Sequence, residues 1–598
     1  MWHPFDNISE ELIDTIVSQV CCRRTLAALC RVSKQLNRIA TPYLYENITL
    51  YSDIGGEGAL RHLRPLAHRF FADPSFASLV KSIALPDGWG GCESAPRLDN
   101  FKVKPWPRIE TPETEQLLER ICREYCHDET KALRMYIKLY AADADVIITL
   151  LVANLPNLER LDLELGEFRD HKLFCKMIKG SAGRLEAKKA VSLNSTESSS
   201  SPTAPLQKPV DVFIRDSDSG DVEYLASFFH LPNLRSMYAF KFGDDDETIN
   251  TMMERNPFAV LGLRSCGVQY IELRASSLAT HTLRDLIEAT IPGKLKAFLY
   301  ERAGPFTSRS AELPFLMRCL EDHQDHLETL ALSYEEIEGS TVFEEPWWEF
   351  LDRRTPAMSF TSFKSLRRLR VAPEMIWGYT HDECTVQFED EIMLTIDMFW
   401  KALPASLEEL WLTRLQRHWI PGFMSHDLGI IPRILIPALH RLVEESSEAC
   451  PRLRSIRIEL LPNHWEVVWL DLLAEFCHDA ERRGIHCTVI FLHPREVKSD
   501  WKTRSEMVER GWGWNEDVEW SEVSMDANKT WRKHGIYAAR ENNLKGKMRA
   551  LQNSIFAYVG VKSLLSEETD TDDDLSPSEQ SDTDVELPPS EQSDTDVD

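Results

Sequence analysis

A short apolar spacing recurs along most of the chain: an apolar residue is followed three and five positions later by two more. The last two positions alternate, as in a strand with one buried face. Because 43% of the residues are apolar, this spacing also arises by chance, so the residues around it decide its meaning. The copies begin at Val80, Leu158, Leu234, Val268, Leu295, Leu327, Leu366, Leu407 and Leu453.

The context of the spacing also repeats. Leu155-Pro156-Asn157-Leu158 returns as Leu231-Pro232-Asn233-Leu234, and Leu403-Pro404-Ala405-Ser406-Leu407 is a variant. Patterns typical of helices fill several of the intervals, for example at 283–289 and 436–443. A turn, a short strand and a returning helix, repeated every few tens of residues, are typical of a solenoid.

This arrangement resembles irregular leucine-rich repeats. The resemblance implies an α/β solenoid over residues 76–492, built from short parallel strands with returning helices. Copies from Leu234 onward begin about 27 to 46 residues apart, longer than the usual 20 to 29, so we expect loops inserted into several repeats. Residues 192–208 are rich in serine and proline and predict a disordered insertion. An α/β domain of another topology is the alternative.

The first fifty residues follow a different pattern, with two apolar series at helical spacing. The turn at Cys21–Arg24 would separate two helices, Pro42 would end the second, and Ile48 would begin a strand. So small a bundle buries little surface, so we expect a partner. The apolar positions are Leu12, Ile13, Ile16 and Val20, then Leu26, Leu29, Val32, Leu36 and Ile39.

Residues 1–50 resemble an F-box of the fungal type. Ile8-Ser9-Glu10-Glu11-Leu12-Ile13 stands where the family has Leu-Pro-x-Glu-Leu-Leu, with Ser9 in place of its proline. Leu26–Lys34 and Thr41–Tyr45 match the two later motifs. The resemblance implies docking on a Skp-type adaptor of a cullin–RING ubiquitin ligase. The implied contact residues are Ile8, Leu12, Ile13, Ile16, Leu26, Leu29 and Val32.

Residues 51–75 have a mixed pattern that includes Gly55-Gly56, and they predict a linker. The F-box resemblance implies that the repeats select a protein substrate for ubiquitination. The chain itself would not be an enzyme. In the alternative, the helices pack on their own domain and the chain is a non-ligase scaffold or adaptor protein. Copurification of a Skp adaptor separates the two hypotheses.

The strand positions between the apolar residues should line the concave face of such a solenoid and contact the substrate. Aromatic and arginine side chains at these positions are the types that dominate binding hot spots. Arginines on either side of a tryptophan favour an acidic or phosphorylated segment, or this chain's own tail. A plain solvated strand face is the alternative. The candidates are Tyr238, Phe240, Tyr270, Arg274, Arg368, Arg370, Trp411 and Arg457.

The C-terminal segments differ from the repeats in composition. Residues 493–562 are rich in tryptophan and predict a helical cap, and residues 563–598 predict a disordered acidic tail. The tail is either a solubilising segment or a regulated one. An acidic residue three positions after a hydroxyl is a pattern that acidophilic kinases recognise, and the candidate phosphorylation sites with it are Ser581, Thr583, Ser593 and Thr595.

Composition excludes several functions. The net charge of −28 disfavours wholesale nucleic-acid binding, and about half of it lies in the tail. The thirteen cysteines form no disulfide framework, and we expect a reducing compartment, the cytoplasm or nucleus, with no membrane contact. Cys122 and Cys126 lack a second ligand pair, so we predict no metal. Motifs for catalysis or for a cofactor are absent from the sequence, and we predict none.

Overall fold

A computed structural model of the chain divides it into two compact units, residues 1–536 and 537–598, and everything described below lies in the first. The structure describes residues 8–20, 22–50, 58–85, 112–126, 128–140, 143–165, 173–180, 206–220, 222–243, 258, 264–303, 312–335, 358–377, 396–415, 435–460, 467–491, 523–525 and 531–533.

The N-terminal segment is a bundle of three helices, α1 (Glu10–Ser18), α2 (Arg23–Val32) and α3 (Lys34–Glu46). The second predicted helix is therefore two helices. Ser33 breaks it, since its side chain accepts a hydrogen bond from the Leu36 amide at 3.1 Å and caps α3. Pro42 lies inside α3 and does not end it.

Twelve parallel strands form one sheet in strict chain order, which confirms the predicted solenoid of parallel strands. All nine copies of the apolar spacing lead into a strand, and β4 and β12 extend the series. The strands are β1 (Asn47–Thr49), β2 (Ser82–Leu85), β3 (Arg160–Leu165), β4 (Asp211–Gly220), β5 (Ser236–Phe242), β6 (Tyr270–Ser276), β7 (Ala297–Ala303), β8 (Thr329–Glu335), β9 (Arg368–Val371), β10 (Glu409–Leu415), β11 (Ser455–Leu460) and β12 (His486–Phe491).

Helices return the chain between most of the strands. Between β1 and β3 they are α4 (Gly58–Ala72), α5 (Pro74–Ala77), α6 (Pro112–Tyr125), α7 (Glu129–Tyr140) and α8 (Ala144–Ala153). The later ones lie at residues 173–180, Val222–Phe228, Thr280–Glu288, Glu312–Cys319, Pro373–Trp377, 396–401, Ile436–Ala449 and Val467–Arg482, with a 3-10 turn at Leu320–His323.

The main core lies between the sheet and these helices. One row of strand side chains runs from Ile48 through Ile83 and Leu161 to Cys487, each paired with its neighbour in register. A second row runs from Leu85 to Val489, and both rows are buried against the helices. Alternate strand residues therefore point away from the described helices, onto what we call the opposite face.

Side-chain hydrogen bonds between successive turns explain part of the repeated sequence context. Asn157 donates to the Ser78 carbonyl at 2.6 Å, and Asn233 donates to the Gln207 carbonyl in the equivalent place. Ser365 donates to the Asp325 carbonyl at 2.6 Å. In these three repeats the polar residue of the motif thus ties its turn to the one before it.

The linker assignment for residues 51–75 is wrong. Residues 58–72 form α4, whose Leu63, Ala67, Phe70 and Phe71 are buried in the main core. The spacing of these four residues is helical, whereas the linker prediction gives weight to Gly55-Gly56, which precede the helix in the sequence. Pro65 lies inside the helix.

Two other predicted boundaries change. Leu206, at the end of the predicted insertion 192–208, is buried, because it enters the core just before β4. In the segment 493–562, the described part is an antiparallel strand pair, Val523–Met525 with Trp531–Lys533, rather than helix. The rest of both segments, and Ser581, Thr583, Ser593 and Thr595 of the tail, lie outside the described residues.

Candidate functional site

The helical bundle carries three strongly exposed apolar side chains, two on α1 and one at the end of α2. Leu12 and Ile16 lie one helical turn apart on α1 and are 59% and 57% exposed, and Val32 at the end of α2 is 65% exposed. Among the described residues, the only other large apolar side chains so exposed are Leu133 and Ile137 on α7. We call Leu12, Ile16 and Val32 the bundle face.

The other predicted adaptor contacts lie deeper. Ile13 and Leu26 are buried with Val17, Leu36 and Ile39 in a small core of the bundle's own, so they stabilise it and present no surface. The prediction that Ile13 and Leu26 contact an adaptor is corrected for that reason. Ile8 and Leu29 are half-buried at the edge of this core.

The bundle is joined directly to the sheet. Helix α3 runs into β1, which pairs with β2, and Lys81 binds Glu46 at 2.7 Å across this junction. The Tyr45 ring packs 5.0 Å from the ring of Phe76 and 6.0 Å from that of Phe70. The bundle and the first turn of the solenoid therefore share packing contacts.

The strand register places four of the eight predicted substrate residues in one line across the opposite face of the sheet. Tyr238 pairs with Glu272, which pairs with Leu299, and Arg370, Trp411 and Arg457 are paired in the same way. Neighbouring strands lie about 4.8 Å apart, so these side chains contact one another. We call the whole line the central row: Ala84, Asp162, Phe213, Tyr238, Glu272, Leu299, Ala331, Arg370, Trp411, Arg457 and Thr488.

A network of charges occupies the middle of this face. Arg274 donates to Glu272 at 2.8 Å and to Glu301 at 2.9 Å, and the Tyr270 hydroxyl donates to Glu272 at 2.5 Å. Burial alone would lower the pKa of Arg274, but the two carboxylates raise it above its usual value. Burial and the Glu272 carboxylate raise the pKa of Tyr270. The arginine therefore stays charged and the tyrosine stays protonated.

A cation–π stack lies at the β9–β11 end. The Arg370 guanidinium lies 4.4 Å from the centroid of the Trp411 ring, and that of Arg457 lies 5.3 Å from it. Arg370 also donates to Glu459 on β11 at 2.9 Å. Glu459 was not predicted, although its place two residues after Arg457 puts it on the same face.

Most of the central row is buried, which corrects the expected exposure of these residues. Tyr238, Arg370 and Trp411 of this row are each less than a tenth exposed, and so is Arg274, two residues after Glu272 on β6. Neighbouring side chains of the opposite face cover them. Phe240, Tyr270 and Arg457 are half-buried, and Arg368 is exposed. The first residues of four strands are exposed, among them Arg160 on β3 and Arg368 on β9, whereas those of β5, β7 and β8 are buried.

Six of the ten free cysteines that the structure describes are buried. Burial raises the pKa of the Cys122 thiol to about 12, as suits a core residue. The described residues include no group of three or more metal-ligating side chains. Nor does any described helix have the length and apolar character needed to span a membrane.

The comparisons agree with the architecture. A family model described as a leucine-rich repeat domain matches residues 60–269, which include most of α4 and strands β2 to β5. A search of curated proteins finds no significant match. The chain thus carries a leucine-rich repeat domain of α/β type, a scaffold suited to protein binding.

Proposed function

We propose that this chain, whose leucine-rich repeats form a protein-binding scaffold, is the substrate-recognition subunit of a Skp–cullin–F-box ubiquitin ligase. The F-box would be the helical bundle, and the repeats would hold a protein substrate. The chain would be non-catalytic and would act by proximity, placing a substrate lysine near an enzyme carried by another subunit. It would work in the cytoplasm or the nucleus.

The bundle face is the observation that carries this proposal. Exposed leucine and isoleucine side chains on one face of a small helical bundle are typical of a docking surface. With its own small core, the bundle can keep its shape while that face is covered. Leu12, Ile16 and Val32 would be the adaptor anchors, with Ile8 and Leu29 at their edge.

A non-ligase scaffold remains the second candidate, and the junction at β1 favours it. Since β1 is the first strand of the sheet, the bundle could simply cap the solenoid. A capping element, however, has a polar outer face, whereas the bundle exposes Leu12, Ile16 and Val32. The ligase hypothesis accounts for those side chains and the cap hypothesis does not.

The test is copurification of a Skp-type adaptor with the full-length chain. Each buried apolar anchor contributes about 1–3 kcal/mol. We therefore expect Leu12→Asp with Ile16→Asp to lower the affinity by about 100-fold or more. Both residues are exposed, so the circular dichroism spectrum should not change.

Helix α7 offers a matched control. Leu133 and Ile137 have the same spacing and nearly the same exposure as Leu12 and Ile16. The full-length chain with Leu133→Asp and Ile137→Asp should still copurify with the adaptor. If the variant with Leu12→Asp and Ile16→Asp also copurifies with the adaptor, the F-box assignment fails and the scaffold hypothesis stands.

A further inference from the structure

The turns that lead into β9, β11 and β12 carry a cluster of exposed basic side chains. Lys364, Arg367 and Arg368 precede or begin β9, Arg452 and Arg454 precede β11, and Arg483 precedes β12. All six are exposed, in a chain whose net charge is −28. We call these six residues the basic rim.

The rim is held in order by the sheet. The Glu408 amide donates to the Arg367 carbonyl, the Arg454 amide to the Glu408 carbonyl and the His486 amide to the Arg454 carbonyl, each at 2.8 Å. The turns before β9 and β11 are thus two strand spacings apart, about 10 Å. A fixed array of this kind loses little entropy when it binds a ligand.

Carboxylates within the chain neutralise only part of the rim. Glu408 lies 3.8 Å from Arg367, and Glu409 lies 4.0 Å from Arg368, in exposed pairs that are weak in water. Lys364 pairs with Asp325 at 3.0 Å. Among the described side chains, no carboxylate lies within ion-pair distance of Arg452 or Arg454.

We propose that the basic rim binds an acidic segment of a protein partner. Arginine suits this task, since its guanidinium pairs with carboxylates in a two-pronged geometry. From β9 to β12 the rim spans about 14 Å, the length of four or five extended residues. The partner segment is therefore short, extended and rich in Asp and Glu.

A protein fits the rim better than a nucleic acid does. Glu408 and Glu409 interrupt the rim and would repel a continuous chain of phosphates, whereas a peptide can place neutral residues opposite them. The acidic charge of the whole chain also opposes a long polyanion. If the proposed ligase function holds, the rim would receive its substrate; only this role of the rim depends on that function.

The experiment uses full-length protein and a fluorescein-labelled decaglutamate peptide, with fluorescence anisotropy measured at about 0.05 M salt, where exposed charges interact over 10 Å or more. Arg452→Glu with Arg454→Glu should weaken binding by about tenfold or more. The control is Arg235→Glu with Lys294→Glu, which changes the charge equally on exposed turns before β5 and β7. It should change binding less than about twofold.

Three results would overturn the proposal: no loss in the Arg452→Glu/Arg454→Glu variant, equal loss in both variants, or tighter binding of an oligothymidylate than of decaglutamate. The same variants are tested for adaptor copurification. A chain that binds decaglutamate through the rim but no adaptor would contradict the ligase function and leave the rim proposal standing.

Discussion

At the scale of single residues, buried charges distinguish the opposite face from a plain solvated strand surface. Arg370 resembled a substrate contact in the sequence, because arginine beside tryptophan is typical of hot spots. Its partner Glu459 lies 89 positions away in sequence, and no local pattern links the two. Breaking a buried pair of this kind costs about 3–5 kcal/mol, so Arg370 and Glu459 hold β9 and β11 in place.

Asp145 on α8 gives a testable dependence of stability on pH. Its carboxylate accepts hydrogen bonds from the Leu173 and Phe174 amides at 2.9 and 3.1 Å. Burial raises its pKa to about 6, although these amides lower it. The folded state therefore binds the proton more tightly than the unfolded state does. The stability that this group contributes is complete below pH 3.8 and is lost as the pH rises to about 6.

Asp145→Asn replaces the titratable carboxyl group with an amide that stays uncharged at every pH. We expect the stability of the wild type relative to this variant to fall by about 1–3 kcal/mol between pH 4.5 and pH 7. Urea unfolding of both proteins at several pH values measures the difference. A difference that stays constant with pH would show that Asp145 has an ordinary pKa.

At the scale of elements, the side-chain bonds between turns make a second prediction. Asn157→Ala removes the bond to the Ser78 carbonyl and leaves a partly buried acceptor, at a cost of about 1–2 kcal/mol. Asn157→Ser should recover part of this loss, since serine makes the equivalent bond at Ser365. The midpoint of urea unfolding tests both variants. An alanine variant as stable as the wild type would mean that this bond contributes nothing.

The elements that sequence patterns missed have identifiable causes. The spacing before β4 begins with Pro209 where other copies have leucine or valine, so the apolar spacing does not predict this strand although Val212 and Ile214 fit. Helical spacing predicts that Leu12 and Ile16 of the bundle face lie on the same side of α1. Spacing alone did not separate them from Ile13, which lies next in sequence and is buried.

At the scale of the whole molecule, the strand order separates the two proposed surfaces. The bundle face lies beside β1, at one edge of the sheet, and the basic rim lies at β9–β12, at the other. Eight strand spacings separate β1 from β9, about 40 Å along the sheet. A protein bound at the rim would thus leave the bundle face clear for a second partner, as a receptor that bridges a ligase and its substrate requires.

The central claim is that α1 and the end of α2 dock on a Skp-type adaptor. Hydrogen–deuterium exchange of the purified full-length chain, with and without a purified adaptor, tests it most directly. We expect slower exchange in Glu10–Ser18 and near Val32, and no change in Glu129–Tyr140, where Leu133 and Ile137 are equally exposed. Unchanged exchange in Glu10–Ser18 at saturating adaptor, or protection of Glu129–Tyr140 in its place, would contradict the account.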